Sequence, residues 1–285
     1  MTLRSPARKR WSSYPPAPYT GQPPLARLLP SGVMLTAVVF DVDGTLVDSE
    51  RDGHRVAFNL AFEEFGLPDR WDEEHYGTLL EITGGQRRLH VYLAGQGWSQ
   101  EKRDELVPRI HQRKTQILAE MIDQGQIQPR SGVCRLMAEL EDVGATLAVA
   151  TTGSRGWVER LLDRLFGLER FPVVVTGDEV SCRKPHPEAY TLALDGLSRP
   201  PQEVVAVEDS ANGLNAARAA GLTCLVVVNN YTTGQDLREA DLVVDSLGTE
   251  SEPGAILHDP HRLGVTGPVR AATLDQLLAV TREPS

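Results

Sequence analysis

The sequence has few cysteines and no long hydrophobic run. Its 285 residues include only Cys134, Cys182 and Cys224, which are too few and too widely spaced for a disulfide framework or a thiolate metal site. This pattern favours a reducing compartment, and we expect a cytoplasmic protein. The longest apolar runs, such as residues 225–228, are far too short to cross a bilayer.

Positive charge is also scarce. Lys and Arg total 29 against 39 Asp and Glu, which gives a net charge of −10. Such a charge repels nucleic acid and anionic membranes, so the composition predicts that neither is a partner. An anionic substrate would have to meet cations that the fold places locally.

The first 33 residues differ from the rest of the chain. They contain no acidic residue, five basic residues and seven of the 19 prolines. This composition cannot support packed structure and predicts a disordered tail. Two alternatives stay open: an organellar transit peptide, which is also poor in acidic residues, or a translation start at Met34.

Short apolar runs separated by helical stretches predict the fold. The runs do not alternate with polar residues, as expected for parallel strands that are covered on both faces. They predict an α/β protein with a Rossmann-like, doubly wound parallel sheet. The predicted strands span residues 36–40, 145–150, 171–175, 204–207, 223–228 and 242–244.

About 80 residues separate the first two predicted strands, too many for a loop. Phe58, Phe62 and Phe65 recur there at helical spacing, as do Leu106, Ile110, Ile117 and Met121. We therefore predict an all-α cap over residues 49–132, inserted into a core of residues 34–48 and 133–285. Residues 248–267 look irregular, and a last helix is predicted over residues 273–280.

An acid pair directly follows the first strand. Asp41 and Asp43 belong to the run Asp-Val-Asp-Gly-Thr, and alternate residues of an extended chain point the same way. Paired acids can divide phosphoryl transfer between a nucleophile and a general acid and base. The alternative is an acidic turn that only leaves the sheet.

Three more polar groups follow later strands: Thr151 with Thr152, Lys184 with Pro185, and Glu208 with Asp209. Each has a simple structural alternative, namely a helix cap, a solvated lysine or acids at a helix N-terminus. As a set they supply what a phosphoryl group needs, which is a nucleophile, a proton donor, a cation and a metal site. Asp41 with Glu208 and Asp209 would suffice for Mg²⁺.

These four motifs, in this order, resemble those of the haloacid dehalogenase superfamily of phosphohydrolases. The resemblance implies that Asp41 is a nucleophile that forms an aspartyl-phosphate, and that Asp43 is the general acid and base. It implies that Lys184 neutralises the phosphate, and that Thr151 and Thr152 hold its oxygens. It also implies Mg²⁺ as the cofactor. The implied metal site consists of Asp41, the Asp43 carbonyl, Glu208 and Asp209.

The stretches DSERDGHRVAFN, YGTLLEITGGQRR and LEDVGATLAVATTGS are similar to CbbY-type phosphatases, relatives of β-phosphoglucomutase. This implies hydrolysis of xylulose 1,5-bisphosphate to xylulose 5-phosphate. The sequence does not determine the oligomeric state, and we expect a monomer. The implied sugar-binding residues of the cap are Glu50, His54, Gly84, Gly85 and Arg88. His54 has the alternative of an ordinary residue at a helix start.

One motif departs from this family's pattern. The chain reads Gly-Gly-Gln-Arg-Arg over residues 84–88, where family members tend to have GGKER. This alters the charge of the cap and leaves the core motifs intact. Two other functions stay open, a mutase that returns the phosphoryl group to another hydroxyl and a non-catalytic phosphosugar-binding module.

Overall fold

A computed structural model describes residues 35–82 and 84–282, and its centre is a seven-stranded sheet. The strand order is β3-β2-β1-β4-β5-β6-β7. All pairings are parallel except that of β7 with β6. The strands are β1 (Ala37–Phe40), β2 (Thr146–Ala150), β3 (Val173–Val175), β4 (Val204–Glu208), β5 (Thr223–Val227), β6 (Leu242–Val244) and β7 (Ile256–His258). The predicted doubly wound α/β fold is confirmed.

The position of β1 in the middle of the sheet creates the site. Phe40 lies opposite Val149 of β2 on one side and opposite Val207 of β4 on the other. The strand order therefore reverses at β1, and the carboxyl ends of β1 and β4 lie side by side. Open α/β sheets bind ligands at such a point.

Helices cover both faces of the sheet. One face carries mostly large residues such as Val38 and Phe40, and the other carries small ones such as Ala148 and Ala206, which allow close packing. The helices that follow β1 are α1 (Arg55–Glu64), α2 (Glu73–Leu79), α3 (Gly85–Gly95) and α4 (Gln100–Asp123), and those of the core are α5 (Val133–Asp142), α6 (Arg155–Phe166), α7 (Glu188–Leu197), α8 (Ala211–Ala219) and α9 (Ala271–Arg282).

The segment between β1 and β2 is helical, as the apolar spacing predicts. It opens with a π-helical turn, Ser49–His54, and α4 packs against α1, α3 and α6. Phe58 and Phe62 of α1 are fully buried. Two linkers join the segment to the sheet, and they touch through a β-bridge between Val47 and Pro129. The domain boundaries at residues 49 and 132 stay a prediction.

The region after Leu247 holds a strand that the sequence analysis missed. Residues 248–267 are not wholly irregular, because β7 pairs antiparallel with β6 within them. This strand has only three residues and its middle residue, Leu257, is exposed, so it has no buried apolar run to reveal it. The predicted last helix is present and longer, as α9. The predicted tail, residues 1–33, lies outside the described residues.

None of the helices within residues 35–82 and 84–282 is long and apolar enough to span a membrane.

Candidate active site

A cleft of about 910 Å³ opens between the carboxyl ends of the strands and the helical segment. Every predicted site residue except Thr151 lines this cleft. The strand ends contribute the acid pair, Lys184 and the second acid pair, and the helical segment contributes the predicted sugar-binding residues. A volume of this size suits a small phosphorylated metabolite.

Lys184 is the centre of the charged cluster at the strand ends. Its Nζ lies 2.7 Å from Asp41 Oδ1, 2.5 Å from Glu208 Oε1 and 2.8 Å from the carbonyl oxygen of Ala150. Its side chain is only 6% exposed. Burial disfavours the ammonium, but the two carboxylates outweigh burial and raise the pKa of Lys184.

The carboxylates around Lys184 outnumber the cations. Oxygen atoms of Asp41, Glu208 and Asp209, all buried, lie within 4.8 Å of one another. Burial raises the pKa of Asp41, with Lys184 acting in the opposite direction. Burial and the neighbouring Glu208 raise the pKa of Asp209 to about 8. An all-oxygen set with uncompensated negative charge fits a hard divalent cation such as Mg²⁺.

Asp43 sits in a different environment from Asp41. Its Oδ1 accepts a hydrogen bond from the Ser49 hydroxyl and lies 3.4 Å from His54 Nε2. Lys114 Nζ is 2.5 Å from His54 Nδ1. An ammonium can only donate, so Nδ1 accepts and the ring proton sits on Nε2, facing Asp43. Burial would raise the pKa of Asp43, but His54 and Ser49 outweigh it and lower that pKa.

Glu50 and Arg88 meet through Tyr76. The Tyr76 hydroxyl lies 2.5 Å from Glu50 Oε2, and Arg88 Nη1 donates to the hydroxyl oxygen over 2.9 Å. Arg88 Nε donates to the carbonyl of Leu79, and its Nη1 is 3.9 Å from Glu50. The predicted cation is thus buried and partly neutralised before any substrate arrives.

The two predicted threonines have different positions. Thr152 lines the cleft, whereas Thr151 is fully buried behind the cleft wall. The Thr151 hydroxyl accepts a hydrogen bond of 3.1 Å from the backbone N–H of Gly153. Gly84 and Gly85 form the start of α3, so the free N–H groups of that helix begin at the cleft.

The loop that carries Lys184 is held by Glu188. Lys184 lies nine residues beyond the end of β3 and not directly after it. The Glu188 carboxylate accepts hydrogen bonds from the backbone N–H groups of Ser181 and Cys182, over 3.0 and 2.7 Å. Cys182, His186 and Glu188 also place ligand-type atoms within 4.8 Å of one another. Because the Glu188 carboxylate already accepts two backbone hydrogen bonds, we interpret these three residues as a structural support for the Lys184 loop and not as a metal site.

Sequence reasoning missed several polar residues of the site. His111 and Lys114 line the cleft, and Tyr76 is buried behind it, in contact with Glu50 and Arg88. Burial lowers the pKa of Lys114 to about 8, and it lowers the pKa of His111 to about 4 with a contribution from Lys114. The sequence did contain a signal for Lys114. This residue stands in the row of apolar residues along α4, four residues after Ile110 and three before Ile117. A charged residue in an apolar stripe indicates a polar site.

Comparisons with known proteins agree with this geometry. The family model of haloacid dehalogenase-like hydrolases matches residues 35–221. Protein CbbY of Cereibacter sphaeroides is 42% identical over 219 residues, which cover 75% of this chain and 93% of that protein. A CBBY-like protein of Arabidopsis thaliana is 38% identical over 225 residues, covering 76% of this chain and 70% of the relative.

A similar solved structure is that of a CbbY mutant from Rhodobacter sphaeroides in complex with xylulose-(1,5)bisphosphate. It is 40% identical, covers 75% of this chain and 95% of that chain, and superposes with a TM-score of 0.67. The similarity therefore extends over nearly the whole of that protein.

Proposed function

This chain belongs to the haloacid dehalogenase-like hydrolases, as a phosphoric monoester hydrolase, and on that premise we propose a magnesium-dependent sugar bisphosphate phosphatase. The proposed reaction converts xylulose 1,5-bisphosphate to xylulose 5-phosphate through an aspartyl-phosphate. The observation that carries the proposal is the Lys184 ammonium, held between the carboxylates of Asp41 and Glu208 at the cleft floor.

Asp41 is the proposed nucleophile. Its carboxylate oxygen attacks phosphorus, the bond from phosphorus to the sugar oxygen breaks, and Asp43 gives that oxygen a proton. Water then attacks the phosphorus of the aspartyl-phosphate, Asp43 accepts the proton of that water, and the Asp41 carboxylate leaves. Phosphate and the dephosphorylated sugar are the products, and both aspartates return to their starting states.

Asp43 must be protonated when the sugar oxygen leaves. His54 and Ser49 hold the pKa of Asp43 low in the free protein. A dianionic phosphoryl group in the cleft disfavours a second negative charge beside it and raises that pKa. His54 Nε2, 3.4 Å away, can pass its proton to Asp43 while the Lys114 ammonium gives a proton to His54 Nδ1, so that the imidazole stays neutral and Lys114 becomes the neutral amine.

Mg²⁺ is the proposed cofactor. Asp41, Glu208 and Asp209 would hold it with carboxylate oxygens, and the Asp43 carbonyl would join them. When bound, the ion neutralises charge on the phosphoryl oxygens and thereby acts as a Lewis acid.

The bisphosphate needs a second cationic pocket, and we assign it to the helical segment. Arg88 is one candidate group, and Lys114 on α4 lines the same cleft. The N-terminus of α3 at Gly84 and Gly85 adds backbone N–H groups and a favourable helix dipole. The xylulose-(1,5)bisphosphate complex of the related CbbY mutant supports this choice of substrate.

A phosphate-release screen tests the function. It compares xylulose 1,5-bisphosphate with ribulose 1,5-bisphosphate, fructose 1,6-bisphosphate and hexose monophosphates, each with Mg²⁺ or EDTA. We expect Mg²⁺-dependent release with at least a tenfold preference in kcat/KM for xylulose 1,5-bisphosphate, which corresponds to about 1.4 kcal/mol. Activity in EDTA or a preference for monophosphates would contradict the proposal.

Two further measurements test the mechanism. Asp41→Asn should lower kcat by at least about a thousandfold, whereas Asp52→Asn, at an exposed aspartate paired with Arg51, should not. Incubation with β-glucose 1-phosphate and a trace of bisphosphate separates the reaction classes, because a mutase yields glucose 6-phosphate and a hydrolase yields free phosphate.

A further inference from the structure

Arg130 joins the second linker of the helical segment to the sheet. Its backbone N–H donates to Leu46 of the first linker over 2.9 Å, and its Nε lies 3.5 Å from Asp48 of that linker. Its guanidinium donates to the carbonyls of Val227 over 3.1 Å and Val228 over 2.5 Å at the end of β5. The side chain is only 12% exposed.

The same guanidinium also reaches the catalytic turn. Arg130 Nη1 donates to the carbonyl oxygen of Gly44, the residue after Asp43. Gly44 has a φ of +85°, and a Cβ there would lie 2.2 Å from Asp209 Oδ2. Gly44 is thus enclosed between Arg130 on one side and Asp209 on the other, and its peptide cannot move without moving Asp43.

We propose that Arg130 is a positioning residue for the general acid: it fixes the Asp43–Gly44 turn to the linkers and to β5. The proposal rests on the proposed function, in which Asp43 protonates the leaving sugar oxygen. A planar guanidinium can donate to several carbonyls at once, which the compact ammonium of lysine cannot do in the same geometry. Arg130→Lys therefore keeps the charge and loses the fixed turn.

Arg135 provides a matched control. It also donates to several backbone carbonyls, those of Leu247 over 2.9 Å, Gly248 over 3.2 Å and Val269 over 2.7 Å, and it pairs with Glu139. It does not line the cleft. Arg135→Lys thus disrupts a comparable network outside the cleft, and reveals how much of any effect is general destabilisation.

The test uses two leaving groups. A sugar alkoxide needs a proton as it leaves, whereas p-nitrophenolate leaves without one. In the full-length protein with Mg²⁺, the rate of leaving-group release is measured in the first turnover, before hydrolysis of the aspartyl-phosphate, which also uses Asp43. Arg130→Lys should lower this rate for xylulose 1,5-bisphosphate by about tenfold to a hundredfold, and change it for p-nitrophenyl phosphate by less than about threefold. Asp43→Asn shows the effect of losing the general acid altogether. Arg135→Lys should not lower the rate for one substrate more than for the other.

Each outcome decides one question. Equal losses on both substrates, or no loss in Arg130→Lys, would overturn the positioning role. If Asp43→Asn itself shows no dependence on the leaving group, the acid assignment in the proposed function fails. If Arg130→Lys does not fold, Asp48→Asn removes the carboxylate partner of Arg130 and should give a smaller loss with the same selectivity; equal effects on both substrates would contradict the proposal there too.

Discussion

The hydroxyl of Tyr76 lies 2.5 Å from the carboxylate of Glu50 and at the same time accepts a hydrogen bond from Arg88. Tyr76 is fully buried, and Arg88 also stacks over its ring, 5.2 Å from the centroid. One tyrosine therefore holds two of the residues that the resemblance assigns to the sugar, Glu50 and Arg88.

Tyr76→Phe should weaken binding of the sugar bisphosphate. The ring and its packing stay, but Glu50 and Arg88 lose their shared partner, at a cost of about 1.5 to 3 kcal/mol because both are charged. We expect KM for xylulose 1,5-bisphosphate to rise about tenfold, with kcat for p-nitrophenyl phosphate unchanged. Tyr92→Phe removes another tyrosine hydroxyl, which is bonded to Asp69, and should leave both values unchanged. Equal KM values in the two variants would contradict this role.

Lys184→Met should destabilise the protein as well as abolish its activity. The ammonium is buried between Asp41 and Glu208, and removal of one partner of a buried ion pair costs about 3 to 5 kcal/mol. We expect a lower free energy of unfolding in EDTA and partial recovery with Mg²⁺, because a cation that binds only the folded state stabilises it. Denaturant unfolding with and without Mg²⁺ measures both. A variant as stable as wild type in EDTA would count against the charge argument.

Lys114 should make stability depend on alkaline pH. Burial lowers the pKa of Lys114 from 10.5 to about 8 in the folded state, so the unfolded state binds more protons between these values. The free energy of unfolding therefore rises as the pH increases from about 8 to 10.5. Below pH 8 the cost of burying the Lys114 ammonium is fully present. At neutral pH this pKa shift lowers the free energy of unfolding by about 3 kcal/mol.

Lys114→Met removes this penalty. In EDTA at pH 7 the variant should be more stable than wild type, and the difference should shrink by pH 10. The charged groups that face Lys114 are Glu50 and Asp43, which favour the ammonium, and Arg88, which opposes it; His54 contacts it directly. Denaturant titrations of the variant and of wild type at pH 7 and pH 10 measure the difference in their free energies of unfolding. A difference that does not change with pH would rule out titration of Lys114 as its cause.

The strand-end residues could be predicted because their position follows from the sheet alone. Asp41 and Glu208 lie at or just beyond the ends of β1 and β4, and a parallel register brings these ends together. Tyr76 and Lys114 could not be placed in this way. Their approach to Glu50 and His54 depends on how separate helices pack, which spacing along one helix does not fix. Arg130 was missed because most of its partners are backbone carbonyls, which carry no sequence signal.

The contact between α2 and the loop after β5 gives the last prediction. A Cβ at Gly77 would lie 3.0 Å from the Tyr231 ring, whereas one at Gly95 would meet nothing within 4 Å. Replacing Gly by Ala in a helix stabilises it by up to about 1 kcal/mol. Gly95→Ala should therefore keep activity and gain stability.

Gly77→Ala should show the opposite result although the substitution is the same. Tyr231 belongs to the sheet side of the cleft and Gly77 to the helical segment, so the added methyl group requires the Tyr231 ring to shift by a few tenths of an ångström. We expect kcat/KM for the sugar bisphosphate to fall by about tenfold, with no gain in the free energy of unfolding. The double variant Gly77→Ala with Tyr231→Ala removes the obstructing ring and should recover part of the stability. If Gly77→Ala instead matches Gly95→Ala in both activity and stability, the walls of the cleft tolerate the extra methyl group, and this contact does not set their spacing.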